Sequence, residues 1–135
     1  MSDKQGGCLC GKLRFTLKED PQMMAVCHCT DCQKQTSSAF SVVAIAAEQA
    51  VTVVGSSKVY EKLGDSGQPV QRHFCPDCGT TVFTKADVMP GATILKGGAF
   101  DDTSWLKPTL HIFCDSAQNW VKIPDDSTKF PRMPS

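Results

Sequence analysis

The sequence has no excess of charge of either sign, since 14 lysines and arginines balance 14 aspartates and glutamates. Nucleic acids and anionic membranes attract basic surfaces, so neither is expected as a partner. There is also no long hydrophobic run: the longest, residues 39–47, is far shorter than the roughly 20 residues of a membrane-spanning helix. No apolar leader is visible at the N-terminus, and we therefore expect a cytoplasmic protein in a reducing compartment.

The chain length of 135 residues suits one domain with a modest core, and we predict a single domain over residues 1–135. Hydrophobic residues make up 41% of the chain and charged residues 21%, which is typical of a protein that folds rather than of a disordered one.

Eight cysteines then need an explanation other than disulfides, which are rare in reducing compartments. A disulfide scaffold remains an alternative, but such scaffolds are typical of shorter, secreted chains. Cys75 and Cys78 also have the spacing of a thiol redox motif, although Gly79 directly after them disfavours the helix start that such a motif requires. The cysteines are Cys8, Cys10, Cys27, Cys29, Cys32, Cys75, Cys78 and Cys114.

Metal binding explains more of this spacing. A Cys-x-x-Cys-Gly turn points two sulfurs at one ion, and Gly79 supplies the positive φ that the turn needs. A closed structural zinc site needs four ligands, so a second pair must come from elsewhere. On an extended segment Cys8 and Cys10 point the same way and can share one ion. We therefore predict a structural zinc held by Cys8, Cys10, Cys75 and Cys78.

The second cluster has three cysteines instead of four. Cys27 and Cys29 form an extended Cys-x-Cys pair that continues into a Cys-x-x-Cys turn ending at Cys32. Three protein ligands with a fourth position for water or substrate are typical of a catalytic zinc site. The difference between four and three ligands is the main functional indication in the sequence.

The remaining cysteine and the histidines have simpler interpretations. Alternation places Cys114 on an apolar strand face, which favours a buried small hydrophobe over a fourth ligand. His28 is expected to point away from its neighbouring cysteines rather than to act as a ligand. His73 and His111 lie in no ligand spacing, and we expect these two to be packed or hydrogen-bonded.

The rest of the chain predicts a mainly β fold of short antiparallel strands with few short helices. Leu13, Phe15 and Leu17 alternate with polar residues, which indicates a half-buried strand. Short helices are predicted at 30–36 and 116–120, a loop at 64–69, and an irregular surface tail from 124 to 135. Strands are predicted at 12–18, 40–46, 51–54, 58–63, 70–74, 81–84, 93–96 and 109–113.

Three cysteine motifs, each with its neighbouring residues, resemble the glutathione-dependent formaldehyde-activating family. They are Gly-Gly-Cys-Leu-Cys-Gly at 6–11, Cys-His-Cys-Thr-Asp-Cys at 27–32 and Arg-His-Phe-Cys-Pro-Asp-Cys-Gly-Thr at 72–80. The likeness continues through 98–102 and 108–113 to Trp120 and Ile123, and so covers almost the whole chain.

The resemblance implies an Mss4-like fold, two zinc ions as cofactors, and an activity classed as a carbon–sulfur lyase. The zinc ligands implied are the four and the three cysteines described above. The family reaction condenses glutathione with formaldehyde to S-hydroxymethylglutathione, so the expected partners are a small thiol and a small aldehyde. One departure is Ser37, which stands where the family often has glycine.

A thiolate-rich site is a poor activator of water but suits a soft exogenous thiol. We expect Cys27, Cys29 and Cys32 to be catalytic through zinc, with Ser37, Ser38, Thr36 or water moving the proton. Two alternatives remain: a zinc-stabilised module that binds protein or nucleic acid, and a redox-sensing cluster that releases zinc on oxidation.

Overall fold

The computed structural model describes residues 3–134, which form eleven β-strands, one α-helix and three short 3-10 turns. The strands are β1 Lys4–Gly7, β2 Arg14–Leu17, β3 Met23–Cys27, β4 Ser41–Ala47, β5 Val51–Val54, β6 Lys58–Leu63, β7 Pro69–Phe74, β8 Thr81–Ala86, β9 Ala92–Lys96, β10 Leu110–Ile112 and β11 Thr128–Lys129; the helix is α1 Thr30–Thr36, and the 3-10 turns are Glu48–Ala50, Gly97–Ala99 and Cys114–Ser116. The mainly β fold class is confirmed. No helix within these residues is long and apolar enough to cross a membrane.

Within the described residues the chain groups into two compact units. The first comprises residues 3–23 and 44–105, and the second comprises residues 24–43 and 106–134. The organisation of the chain as a single domain stays a prediction.

A small antiparallel sheet, ordered β1-β2-β5, builds one layer of the first unit. The alternation predicted for β2 is confirmed, because Leu13, Phe15 and Leu17 are at most 2% exposed. Phe15 packs edge-on against Phe100, with ring centroids 5.0 Å apart. Each such side chain contributes about 2 kcal/mol when it leaves water.

The other sheet of the first unit runs in the order β9-β8-β7-β6, with antiparallel neighbours. The predicted loop at 64–69 is the turn of the β6–β7 hairpin, closed by a hydrogen bond from Gly64 N to Gln68 O of 2.9 Å. His73 on β7 is packed as predicted: it stacks on Phe83 and its Nδ1 lies 2.9 Å from Ser57 Oγ. This strand ends immediately before Cys75 and so sets the position of that thiol.

The second unit contains parallel strand pairs, so the prediction of antiparallel strands is wrong in this part of the chain. β10 pairs in parallel with both β3 and β11, and Ile112 lies opposite Cys27. The tail is thus more regular than predicted, since β11 lies within it. Beyond β11, the backbone N–H groups of Phe113, Cys114 and Asp115 donate to carbonyls of residues 130–132.

The helix predicted at 116–120 is wrong. The structure has instead a 3-10 turn, Cys114–Ser116, entered through Phe113 in the left-handed region and left through Ala117 in an extended conformation (ψ 139°). An extended residue ends the run of helical dihedrals, so residues after Ala117 cannot continue a helix from this turn.

The predicted helix at 30–36 is confirmed as α1, and it ends in a Schellman motif. Ser37 N–H donates to Lys34 O and Ser38 N–H to Gln33 O, at 3.2 and 3.1 Å. This motif places Ser37 in the left-handed region, with φ of 54° and ψ of 41°. Glycine adopts that conformation without the steric cost that a side chain brings.

We expect Ser37→Gly to raise the free energy of unfolding by about 0.5–1 kcal/mol, because it relieves the left-handed residue at the helix end. The matched change Ser38→Gly should lower it by a similar amount, since Ser38 has no positive φ and glycine there only adds freedom to the unfolded chain. Denaturant midpoints at a fixed metal content measure both effects. Midpoint shifts of the same sign in the two variants would contradict the placement of Ser37 in the left-handed region.

Candidate metal centres

Four cysteines of the first unit bring their sulfur atoms together. The sulfurs of Cys8, Cys10, Cys75 and Cys78 all lie within 4.8 Å of one another. Cys10 Sγ is 3.6 Å from Cys8 Sγ and 3.7 Å from Cys75 Sγ. Sulfurs bound to one tetrahedral zinc at about 2.3 Å are about 3.8 Å apart, so these separations fit a closed four-sulfur metal site.

Two similar turns carry the four thiols. Gly79 N donates to Cys75 O at 2.8 Å, and Gly79 has the predicted positive φ of 78°. Gly11 N likewise donates to Cys8 O at 3.1 Å, with φ of 83°. The expectation of an extended Cys8–Cys10 pair is therefore wrong, because a turn rather than strand alternation aligns these sulfurs. The sequence feature that could have predicted a turn at both places is the Cys-Gly dipeptide, which occurs at 10–11 and again at 78–79.

The electrostatics of this cluster favour a bound cation. Hydrogen bonds from the Thr80 hydroxyl and N–H lower the pKa of Cys78 to about 5. The backbone N–H of Lys12 acts to lower the pKa of Cys10, but burial and the neighbouring thiols outweigh it and raise that pKa to about 12. Without a cation the four thiols cannot all ionise together. A divalent ion offsets the repulsion between the negatively charged thiolates, and its binding releases the protons of the thiols.

The three cysteines of the second cluster lie where β3 passes into α1. Cys27 ends β3, Cys29 is the N-cap of α1, and Cys32 lies in its first turn. Their sulfurs also lie within 4.8 Å of one another. Cys29 Sγ accepts a hydrogen bond from Cys32 N at 3.2 Å, so one thiol both caps the helix and faces the cluster.

No fourth Cys, His, Asp or Glu from residues 3–134 joins this group. The thiols of Cys29 and Cys32, together with burial, raise the pKa of Cys27 far above its ordinary range. A cation is therefore needed for the three thiols to ionise together, as in the first cluster. A tetrahedral ion here would have one position that no Cys, His, Asp or Glu among residues 3–134 fills.

The two histidines near this cluster pair with each other. His28 Nε2 lies 3.0 Å from His111 Nδ1, and the stacked rings are 5.2 Å apart. Burial lowers the pKa of both imidazoles, so each is favoured in its neutral form. Within the described part of the chain His28 Nδ1 has no hydrogen-bond partner. The prediction that His111 is packed or hydrogen-bonded is confirmed.

Cys114 is placed differently from the prediction. It lies in the 3-10 turn rather than on a strand face, and it is only partly buried. Its Sγ donates to His111 O at 3.6 Å, and neither cysteine cluster includes it among the described residues. The expectation of a buried small hydrophobe is therefore wrong in its degree of burial, because the strand ends at Ile112.

The predicted proton carriers lie at the other end of α1 from Cys29. Thr36 Oγ1 donates to Cys32 O at 2.7 Å, which occupies its hydroxyl hydrogen within the helix. Ser37 and Ser38 follow the helix and are exposed. A seven-residue helix is about 10 Å long, so it separates these hydroxyls from the N-cap thiol.

Sequence reasoning missed Gln33, the residue after Cys32. Its Nε2 donates to His28 O at 2.8 Å and to Ser116 O at 2.9 Å. It thereby ties the backbone between Cys27 and Cys29 to the 3-10 turn. A glutamine in a polar helix gives no pattern from which this role could be predicted.

A crystal structure of a Rhodobacter sphaeroides protein is similar in fold, with a TM-score of 0.57 at 18% identity over 77% of this chain and 91% of that chain. Relatives from Aspergillus flavus and Talaromyces marneffei are 26% and 30% identical over 114 residues. Both are provisionally named glutathione-dependent formaldehyde-activating enzymes. These alignments cover 81% of this chain and 59% of each relative, so the chain spans less than two thirds of their length.

The model of the family described as "Glutathione-dependent formaldehyde-activating enzyme" matches residues 3–116. That range includes both cysteine clusters and both glycine-ended turns. With the sulfur geometry above, this match establishes that the chain belongs to the glutathione-dependent formaldehyde-activating enzyme family.

Proposed function

We propose that the protein binds two zinc ions and uses one of them to add a thiol, glutathione or a similar compound, to a small aldehyde such as formaldehyde, or to reverse that addition. The observation that carries the proposal is the contrast between the clusters: one offers four sulfurs, and the other three with no fourth described ligand. Membership of the family supports the reaction class.

Zinc is the proposed ion at both clusters. Thiolates are soft ligands, and a tetrahedral arrangement of four sulfurs is typical of zinc or iron–sulfur sites. The four-sulfur cluster links residues 8 and 78 and would enclose a bound ion with four protein ligands, which is the arrangement of a structural site. We assign it the role of stabilising the first unit.

The three-sulfur cluster is the proposed catalytic site. When bound there, zinc supplies a soft Lewis acid that lowers the pKa of an incoming thiol. Cys27, Cys29 and Cys32 would hold that ion and, as three negative charges, would make the site unsuited to ionising water. The Cys32 N–H that donates to Cys29 Sγ fixes the orientation of one of these ligands.

In the reaction the thiol sulfur forms a bond to the carbonyl carbon, and the C=O double bond becomes a single bond. The proton lost by the thiol ends on the former carbonyl oxygen. We propose Ser37, Ser38 or a water molecule as the carrier of that proton. Because the exposed serines lie beyond the helix from Cys29, they would act through water rather than by direct contact.

We expect Cys75→Ser to unfold the first unit, because structural zinc contributes on the order of 10 kcal/mol in small domains. Cys114→Ser, which removes a thiol outside both clusters, should keep the fold and two zinc ions per chain. Circular dichroism and elemental analysis of the purified proteins make the comparison. A folded Cys75→Ser protein with unchanged zinc would show that the cluster has no structural role.

Cys32→Ser should spare the fold and remove about half of the zinc, since it affects only the three-sulfur cluster. We expect this variant to give no acceleration of S-hydroxymethylglutathione formation or breakdown. Exchange spectroscopy of glutathione with formaldehyde near equilibrium is the suitable assay, because the uncatalysed addition is fast. Cys114→Ser again serves as the control. Wild-type protein with both zinc ions and no rate above background would refute the proposed activity.

Metal loading should also change the net charge. Seven bound thiolates and two zinc ions leave about three net negative charges on a chain whose formal charge is zero. The isoelectric point of the loaded protein should thus lie below the sequence value of about 6.8. Isoelectric focusing before and after chelation measures the shift, and no acidic displacement would mean that the thiols are not bound as thiolates.

A further inference from the structure

The residue between the first two cysteines of the three-sulfur cluster is anchored by three other residues of the second unit. His28 N donates to Ile112 O at 3.0 Å, and His28 O accepts from Gln33 Nε2 at 2.8 Å. The ring of His28 is buried, and its Nε2 lies 3.0 Å from His111 Nδ1. The peptide groups on either side of His28 therefore cannot rotate without breaking one of these bonds.

Gln33 holds the peptide groups on both sides of the Cys29 α-carbon. Its side chain donates to His28 O, and its backbone N–H donates to Cys29 O at 3.0 Å. The sulfur of Cys29 is oriented separately by the N–H of Cys32, the residue directly before Gln33. One residue outside the cluster thus fixes the backbone of the middle cysteine, and its neighbour in sequence fixes the sulfur.

The amide of Gln33 uses both of its groups, which sets its orientation. Its Nε2 donates to His28 O and to Ser116 O, and its Oε1 accepts from Gln118 Nε2 at 3.0 Å. Backbone carbonyls only accept, so the NH₂ group has to face them. A flipped amide would lose all three bonds. Gln33 is half-buried, and a donor lost at such a site leaves the two carbonyls without this partner.

The neutral charge of this donor suits its place beside the cluster. Three thiolates and one divalent ion would together carry about one net negative charge. A glutamate side chain has the shape of glutamine, but its carboxylate cannot donate to the two carbonyls and adds a further negative charge. A side chain that donates two hydrogen bonds and carries no charge, as glutamine does, meets both requirements.

We propose that Gln33 is a positioning residue of the three-sulfur site, which acts through the backbone of Cys29 and determines how firmly the site retains its metal ion. The inference rests on the proposed function, because it assumes a divalent ion at this cluster. Residues that orient metal ligands in this way typically change metal affinity by about 10- to 100-fold when they are replaced.

The first test measures release of zinc from the loaded protein to an excess of a chromogenic chelator. Each cluster should contribute one phase, and Cys32→Ser identifies the phase of the three-sulfur cluster because that variant lacks it. We expect Gln33→Met, which keeps the length of the side chain and loses its hydrogen bonds, to accelerate this phase about 10- to 100-fold. The phase of the four-sulfur cluster should keep its wild-type rate.

Two further variants separate the parts of the interaction. Gln33→Glu keeps the shape of the side chain and an acceptor for Gln118, but it loses the donors, so release should be at least as fast as in Gln33→Met. Gln118→Met leaves both bonds from Gln33 to the backbone carbonyls in place, and its effect should be smaller than that of either change at Gln33.

The matched control is Gln71→Met in the first unit. Gln71 Nε2 also donates to two acceptors, Glu61 Oε1 at 2.8 Å and Asp87 Oδ1 at 3.3 Å, but neither acceptor belongs to a cysteine cluster. This variant should release zinc with both wild-type rates. It removes a bridging glutamine of the same kind, so it measures what the loss of such a bridge does by itself.

The second test uses Co²⁺ in place of zinc, since its visible absorption reports the geometry of the ligands. The spectrum of the three-sulfur cluster is the difference between the loaded protein and loaded Cys32→Ser. Gln33→Met should shift the visible bands and leave the sulfur-to-cobalt charge-transfer intensity unaltered, because the same three sulfurs still bind. Gln71→Met should change neither feature.

The possible failures of the two proposals can be told apart. If Cys32→Ser loses no phase of zinc release, no ion is bound at the three-sulfur cluster, and the proposed function and the role of Gln33 both fail. If that phase exists but keeps its rate in Gln33→Met and Gln33→Glu, the role of Gln33 alone is refuted. Equal acceleration of both phases by these changes would also overturn it, since that result indicates a general loss of structure.

Discussion

Repulsion between crowded thiolates is the constraint on which the rest of this structure depends. Seven sulfurs are gathered into two groups, each with all its sulfurs within 4.8 Å of one another. Thiols at such distances cannot ionise together unless a cation is present, as the raised pKa of Cys10 and of Cys27 illustrates. The fold brings the thiols together, and a bound ion would make their ionised state stable.

The same constraint bears on the different uses that we propose for the two clusters. In the first unit two turns, each ended by a glycine in the left-handed region, surround the sulfurs from opposite parts of the sequence. In the second unit the three sulfurs come from one short stretch between β3 and α1. A site built from a single stretch leaves more of the coordination sphere uncovered, which is what chemistry on an exogenous ligand requires.

Local geometry could be predicted from the sequence, and non-local pairing could not. The helix at 30–36 and the strands at 51–54 and 58–63 were predicted at their observed bounds, because short-range pattern and turn residues define them. β1 was missed because Lys-Gln-Gly-Gly has no hydrophobic alternation. The parallel pairing of β10 with β3 was also missed, since it joins segments far apart in sequence. Both clusters were predicted correctly as groups because cysteine spacing is itself local, whereas the hydrogen bonds of Gln33 depend on segments that meet only in the folded chain.

The parallel register of the second unit has a consequence for the order in which the chain matures during synthesis. Cys27 lies opposite Ile112, and β10 is itself flanked by β11 near the end of the chain. The sulfurs of the first unit are all synthesised by residue 78, long before these strands exist. A nascent chain can therefore bring the four sulfurs of the first unit together early, while the strand that carries Cys27 lacks its parallel partner β10 until residues 110–112 have been added.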